Sequence, residues 1–167
     1  IEEGVLFGSE WYCEHPLIPL SRTAANINMD GAAPQSLTRD IVLMFTGKSD
    51  LDALVHIAAA AQGRYARVVN DDTAGYYYRA DHFNFCKRGV PAVLVGGGNY
   101  YVDKSNLEKK TWKNTYHQPA DEYSEDWDLE GAMENQNLIH AIMMMIANQD
   151  NMPKWTPQSD FQRQADK

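Results

Sequence analysis

The feature that most constrains the fold is a repeated change of hydrophobic period along the chain. Ile41-Val42-Leu43-Met44-Phe45 is a continuous apolar run of strand length, ended by Gly47. It fits a strand covered on both faces. Ser49, Asp50 and Asp52 then start a helix, with acids in the first turn where its dipole favours them. Leu51, Leu54, Val55 and Ala58 form its apolar stripe, and Gly63 ends it. The pattern returns to strands at Tyr65–Val69 and at Val90–Val95, the latter running into Gly96-Gly97-Gly98, with a short helix predicted between them at Asp81–Lys87. Upstream, Ser9–Glu14 reads as a short helix capped by Ser9 and stopped at His15-Pro16, and Thr23–Asp30 as a buried strand closed by Asp30-Gly31. The longest helix is expected over Asp126–Asn148, where Leu129, Met133, Leu138, Ile142, Met145 and Ile146 recur at helical spacing. Its methionine-rich face reads as core packing. Strands alternating with helices imply an α/β sandwich of three layers around a central mixed sheet.

Charge excludes one class of partner. Fifteen Lys and Arg against 23 Asp and Glu leave a net charge of -8, which repels polyphosphate and removes the electrostatic basis for nucleic-acid binding. No run approaches the roughly 18 apolar residues needed to span a membrane. Cys13 and Cys86 are too few for a disulfide framework and lack the spacing of a thiolate zinc site. Whether they pair stays open. The polar stretch 99–115 reads as a long surface segment, and the tail 153–167, with Pro153, Trp155 and Pro157, as a surface strap following a unit that spans 1–152.

The residues with chemical potential are scattered. An isolated Glu2-Glu3 pair is ordinarily a solvated acidic surface, although adjacent side chains diverge, so one carboxylate can bind a metal while the other handles a proton. Asp30 alone reads as a turn-forming acid before Gly31, and His117 as a loop histidine. Tyr76, Tyr77 and Tyr78 could form an aromatic packing face with only one hydroxyl reaching a site. His15, His56 and His140 read as structural or exposed, and Arg79 as a partner for an acid or for a substrate carboxyl group.

Five blocks in order change that reading. Glu-Glu-Gly-Val-Leu-Phe-Gly-Ser at 2–9, Asn-Ile-Asn-Met-Asp at 26–30, Tyr-Arg-Ala-Asp-His-Phe-Asn-Phe at 78–85, Gly-Val-Pro-Ala at 89–92 and Tyr-His-Gln-Pro-Ala-Asp-Glu at 116–122 resemble the co-catalytic dinuclear zinc aminopeptidases of the bacterial leucyl aminopeptidase and aminopeptidase Y type. The resemblance implies a zinc-exopeptidase-like sandwich, a peptide substrate and release of N-terminal residues by a zinc-activated water. It makes Glu2 the general base, Glu3 and His117 ligands of one zinc, and Asp30 a ligand of the second. Tyr77 takes the position of the tyrosine that stabilises the oxyanion. His82 is not a ligand in that pattern, and Asp121 is a candidate to orient His117. Carboxylate and imidazole ligands suit Zn²⁺.

That family also places a His-x-Asp motif and a bridging Asp ahead of its Glu-Glu pair, whereas only Ile1 precedes Glu2 here. The expectation is a C-terminal part of the catalytic domain, with the remaining ligands upstream, and residues 1–167 alone binding two zinc ions poorly and inactive. Periplasmic or extracellular location is implied by the exported relatives. Two rival functions stay open: glutaminyl cyclase-like acyl transfer on the same scaffold, and a peptidase-like binding domain without metal.

Overall fold

The computed structural model describes residues 6–30, 36–44, 48–71, 73, 75–103 and 118–163. In chain order these form helix α1 (Phe7–Glu14), strands β1 (Asn26–Asn28) and β2 (Asp40–Met44), helix α2 (Leu51–Ala61), strand β3 (Tyr65–Val69), helix α3 (His82–Lys87), strand β4 (Ala92–Gly97) and helix α4 (Glu130–Ala147). Single 3-10 turns occupy Leu20–Arg22 and Tyr76–Arg79.

The sheet runs in the order β1-β4-β2-β3 and is mixed. β2 and β3 are parallel, as their connection through α2 requires, whereas β2 and β4 are antiparallel. β1 lies parallel to β4, with Asn26 beside Ala92 and Asn28 beside Leu94. The tails of β1 and β4 therefore share one end of the sheet, where β2 begins.

Strand alternation divides the buried residues between two cores. Ile41, Leu43, Val93 and Val95 face one way and pack against Leu51, Val55 and Ala59 of α2 and Leu138 and Ile142 of α4. Full burial of each such Val, Leu or Ile contributes about 1.5–3 kcal/mol. Ala92 and Met44 face the other way, against Tyr77, Phe83, Phe85 and Cys86, with α1 packed outside α3. Helices on both faces give the expected α/β sandwich.

Several local expectations change. Ser9 is not the cap of α1: Leu6 holds that position, and Ser9 sits inside the first turn with its hydroxyl donating back to the Leu6 carbonyl at 3.1 Å. The strand expected over 23–30 contracts to three residues, so Asp30 lies just beyond it. The methionine-rich face of α4 is not uniformly core, because Met133, Met143 and Met144 are exposed and only Met145 packs against the buried cluster. Smaller residues, Gly131, Ala132 and Asn135, take the inward positions instead. The tail is not wholly a surface strap: Trp155 is buried, donates its indole N–H to the Gly89 carbonyl at 2.9 Å, and bridges to Ser49. Its indole offers apolar area that loses most by staying in water, which seats this part of the chain. The segment expected to be irregular at 99–115 is described only to Asp103, and Phe45 and Gly47 also fall outside the described residues. Cys13 and Cys86 are separate buried thiols.

Candidate metal and catalytic site

Asp30 follows β1 by two residues, at the end of the sheet where β4 also leaves. Its carboxylate is exposed, and its Oδ2 accepts a hydrogen bond from the Asn28 side-chain amide at 3.1 Å. Asn28 and Asp30 are separated by one residue, so the extended backbone turns both side chains to the same side. Glu2, Glu3 and His117 lie outside the described residues. Among the described residues no group of three or more His, Cys, Asp or Glu side chains converges. The candidate ligands fit zinc by their chemistry, a carboxylate and an imidazole (Glu3 and His117) for one ion and a carboxylate (Asp30) for the other, and Asp30 presents its carboxylate outward rather than burying it.

Tyr77 stands on the 3-10 turn between β3 and α3, only 2% exposed. Its hydroxyl lies 3.6 Å from Cys86 Sγ, and its ring packs edge-on against His82 and Tyr78. Tyr76 and Tyr78 are exposed on either side. Burial first, and the neighbouring Cys86 second, push the Tyr77 phenol well above the usual tyrosine range, so it stays protonated at any physiological pH. Burial also raises the Cys86 thiol to about 11. The pair is neutral.

His82 is fully buried, and among the described residues neither ring nitrogen has a hydrogen-bond partner. Desolvation lowers its pKa from 6.5 to about 4, with Asp81 opposing the shift, so the imidazole is neutral. This differs from the local hydrogen bonding that an adjacent Asp81 suggests: Asp81 precedes the helix, and His82 turns inward against the Tyr77 ring. His15 stacks on Trp11 with its Nδ1 near the Trp11 carbonyl, while His56 and His140 are exposed on α2 and α4. Asp121 and Arg79 are exposed.

Two supports that sequence reasoning missed flank this end of the molecule. The first is Asp40 at the head of β2. It is fully buried, and its Oδ1 accepts the backbone N–H groups of Asn99 at 2.9 Å and Tyr100 at 2.8 Å. Its Oδ2 pairs with Arg67 Nε at 2.9 Å. Arg64, also buried, donates to the Asp40 carbonyl and to the Thr38 hydroxyl, each at 2.8 Å. Gly98 is needed there, because a Cβ would collide with the Asp40 carbonyl and carboxylate and with the Thr38 hydroxyl. The cluster fixes the backbone where the chain leaves β4 on its way to His117. A charged residue heading an apolar run was the available signal.

The second support joins α1 to α3. Leu6 has φ 57°, the only positive φ at a non-glycine among the described residues, a conformation that costs roughly 1–2 kcal/mol. Its carbonyl accepts three donors: Glu10 N–H at 3.1 Å, Ser9 Oγ at 3.1 Å and Asn84 Nδ2 at 3.2 Å. Asn84 Nδ2 also donates to Ser9 Oγ at 2.8 Å. Asn84 and Ser9 are both buried.

Against known proteins, the profile of peptidase family M28 matches residues 1–143, a span that contains Glu2, Glu3, Asp30, Tyr77 and His117. The chain matches none of the curated proteins with which it was compared.

Proposed function

Since the chain belongs to peptidase family M28, whose activity is metal-dependent hydrolysis of peptide bonds, we propose that this protein releases N-terminal residues from peptides by a zinc-dependent route. Glu2 is the general base, Glu3, Asp30 and His117 hold zinc, and Tyr77 stabilises the oxyanion. The single observation that carries this reading is that all five residues fall inside the matched span, in the order and local contexts of the resembled enzymes.

When bound, zinc supplies Lewis acidity toward the attacking water and the scissile carbonyl. Glu2 takes a proton from that water and returns it to the leaving amine, the task for which a carboxylate beside a ligand carboxylate is suited. Tyr77 donates its phenolic hydrogen to the developing oxyanion. The phenol is protonated, as a donor to that oxyanion must be. The resemblance to exported zinc aminopeptidases extends the proposal to a protein working outside the cytoplasm.

The test is Glu2→Gln in the full-length protein, assayed on an aminoacyl anilide alongside zinc content. The expected result is a loss of turnover on the order of 10²–10⁴-fold, typical of a general base, with zinc retained. A Glu2→Gln protein that keeps full activity removes the base assignment. A wild-type protein that holds no zinc removes the metallopeptidase reading of these residues.

A further inference from the structure

Val42 and Met44 of β2 stand in register beside Arg67 and Val69 of β3, and strand alternation puts all four on the sheet face opposite the first core. On that face α3 packs against β4 and β1. The β2–β3 half instead forms the floor of a cavity of about 250 Å³, flanked by Asp71, Tyr76 and Asn99. Pockets for drug-sized ligands run to roughly 300–1,000 Å³, so this one suits a single amino-acid residue.

Arg67 is the cation of that lining, and its geometry is set before any ligand arrives. Nε donates to Asp40 Oδ2 at 2.9 Å, and Asp40 is itself held by the Asn99 and Tyr100 N–H groups. The guanidinium carbon lies 5.6 Å from the centre of the Tyr100 ring. Nη1 and Nη2 have no hydrogen-bond partner among the described residues. A planar fork anchored at one edge, with its two outer nitrogens unused, matches a carboxylate, which accepts two parallel N–H bonds. Val42, Met44 and Val69 offer apolar area to the stem that carries it. Asp71 on the rim is exposed, and its negative charge disfavours a second charge on the ligand, hence a phosphate dianion.

From this geometry we infer that the cavity binds a monoanionic carboxylate carried on an apolar stem of residue size, with Arg67 as the partner of the carboxylate. That chemistry belongs both to the C-terminal residue of a peptide and to a glutamate side chain. The site uses none of Glu2, Glu3, Asp30, Tyr77 and His117, so it stands independently of the metallopeptidase reading.

The experiment is a ligand-observed NMR titration of the full-length protein with N-acetyl-leucine, N-acetyl-leucinamide, the α-amide of N-acetyl-glutamic acid and inorganic phosphate. At least one of the two carboxylates is expected to bind with a Kd on the order of millimolar, as befits a ligand of this size. The tighter of the two identifies the source of the carboxylate. The leucinamide, which lacks the charge, is expected to bind about 10–100-fold more weakly than the better carboxylate, and phosphate more weakly as well. Arg67→Gln is expected to weaken carboxylate binding by the same factor. Should Arg67→Gln fail to fold, since it strips buried Asp40 of its partner, Val69→Phe decides: it fills the floor, leaves the Arg67–Asp40 pair in place and is expected to abolish binding. No binding by either carboxylate, equal binding by the leucinamide or by phosphate, or wild-type affinity in a folded variant overturns the inference.

Discussion

Asp40 and His82 are equally inaccessible to water, and the fold treats them in opposite ways. Asp40 accepts two backbone N–H groups and pairs with Arg67, so its carboxylate replaces most of the hydration it gives up. His82 packs edge-on against the Tyr77 ring, and among the described residues neither of its nitrogens has a partner. One site holds a charge by surrounding it with donors, and the other tolerates a titratable group by keeping it neutral. The difference follows from location. Asp40 stands where β2 starts and β4 ends, and backbone N–H groups that have left the sheet ladder are available there. His82, on the first turn of α3, instead turns its imidazole against the buried Tyr77 ring.

The largest effect expected from this contrast is that of Asp40→Ala. It strips the acceptor from Asn99 N–H and Tyr100 N–H and leaves Arg67 without its buried partner. A buried hydrogen-bonding group left without its partner costs about 1–3 kcal/mol, so the loss of both backbone bonds together with the ion pair should cost several kcal/mol, readable as a lowered urea midpoint. A loss below about 1 kcal/mol, the range of an exposed ion pair, would show that water reaches the cluster and that Asp40 is no more special than a surface acid.

Much of the sheet is legible in the sequence, because its strands are short apolar runs bounded by glycines and acids. Tyr65–Val69 needs no adjustment, and β4 differs from the expected run only at its ends. What escapes is set by partners distant in the chain. Nothing near Asp40 announces that Asn99 and Tyr100 supply its donors, and nothing near Asn84 announces Leu6 and Ser9. Periodicity also overreads α4, since it assigns Met133 to the buried stripe while the sheet lies closer to Gly131, Ala132 and Asn135. For the site, local chemistry alone left Glu2, Glu3, Asp30 and His117 as unremarkable acids and a loop histidine. Their ordered contexts are what identify the family, and the metallopeptidase chemistry follows from the family. Release of N-terminal residues and the individual roles are the proposal that the Glu2→Gln experiment tests.

A pH series sharpens the comparison from the other side. The folded pKa of His82 is about 4, against 6.5 in an unfolded chain, so between those values the unfolded state binds the extra proton. The contribution of neutral His82 is intact above pH 6.5 and is lost as pH falls toward 4, by about 3 kcal/mol in all. Other acids also titrate in that window, so the measurement is the difference in urea unfolding free energy between wild-type and His82→Leu, taken at pH 7 and at pH 4. Wild type should lose about 3 kcal/mol more than the variant over that interval.

The smallest effect is the most discriminating. At pH 7 a Leu in place of His82 removes a polar ring that has no partner among the described residues and supplies an apolar side chain of comparable size, so stability should stay within about 1 kcal/mol of wild type. Asp40→Ala and His82→Leu both delete a fully buried titratable side chain, and burial alone would predict similar damage from each. If His82→Leu instead costs as much as Asp40→Ala at neutral pH, the imidazole must be bonded, and partnership no longer separates the two residues. If it is silent at pH 7 yet relieves the loss at pH 4, the second core holds His82 only in its neutral form, and its acid sensitivity originates beside Tyr77, the proposed oxyanion donor.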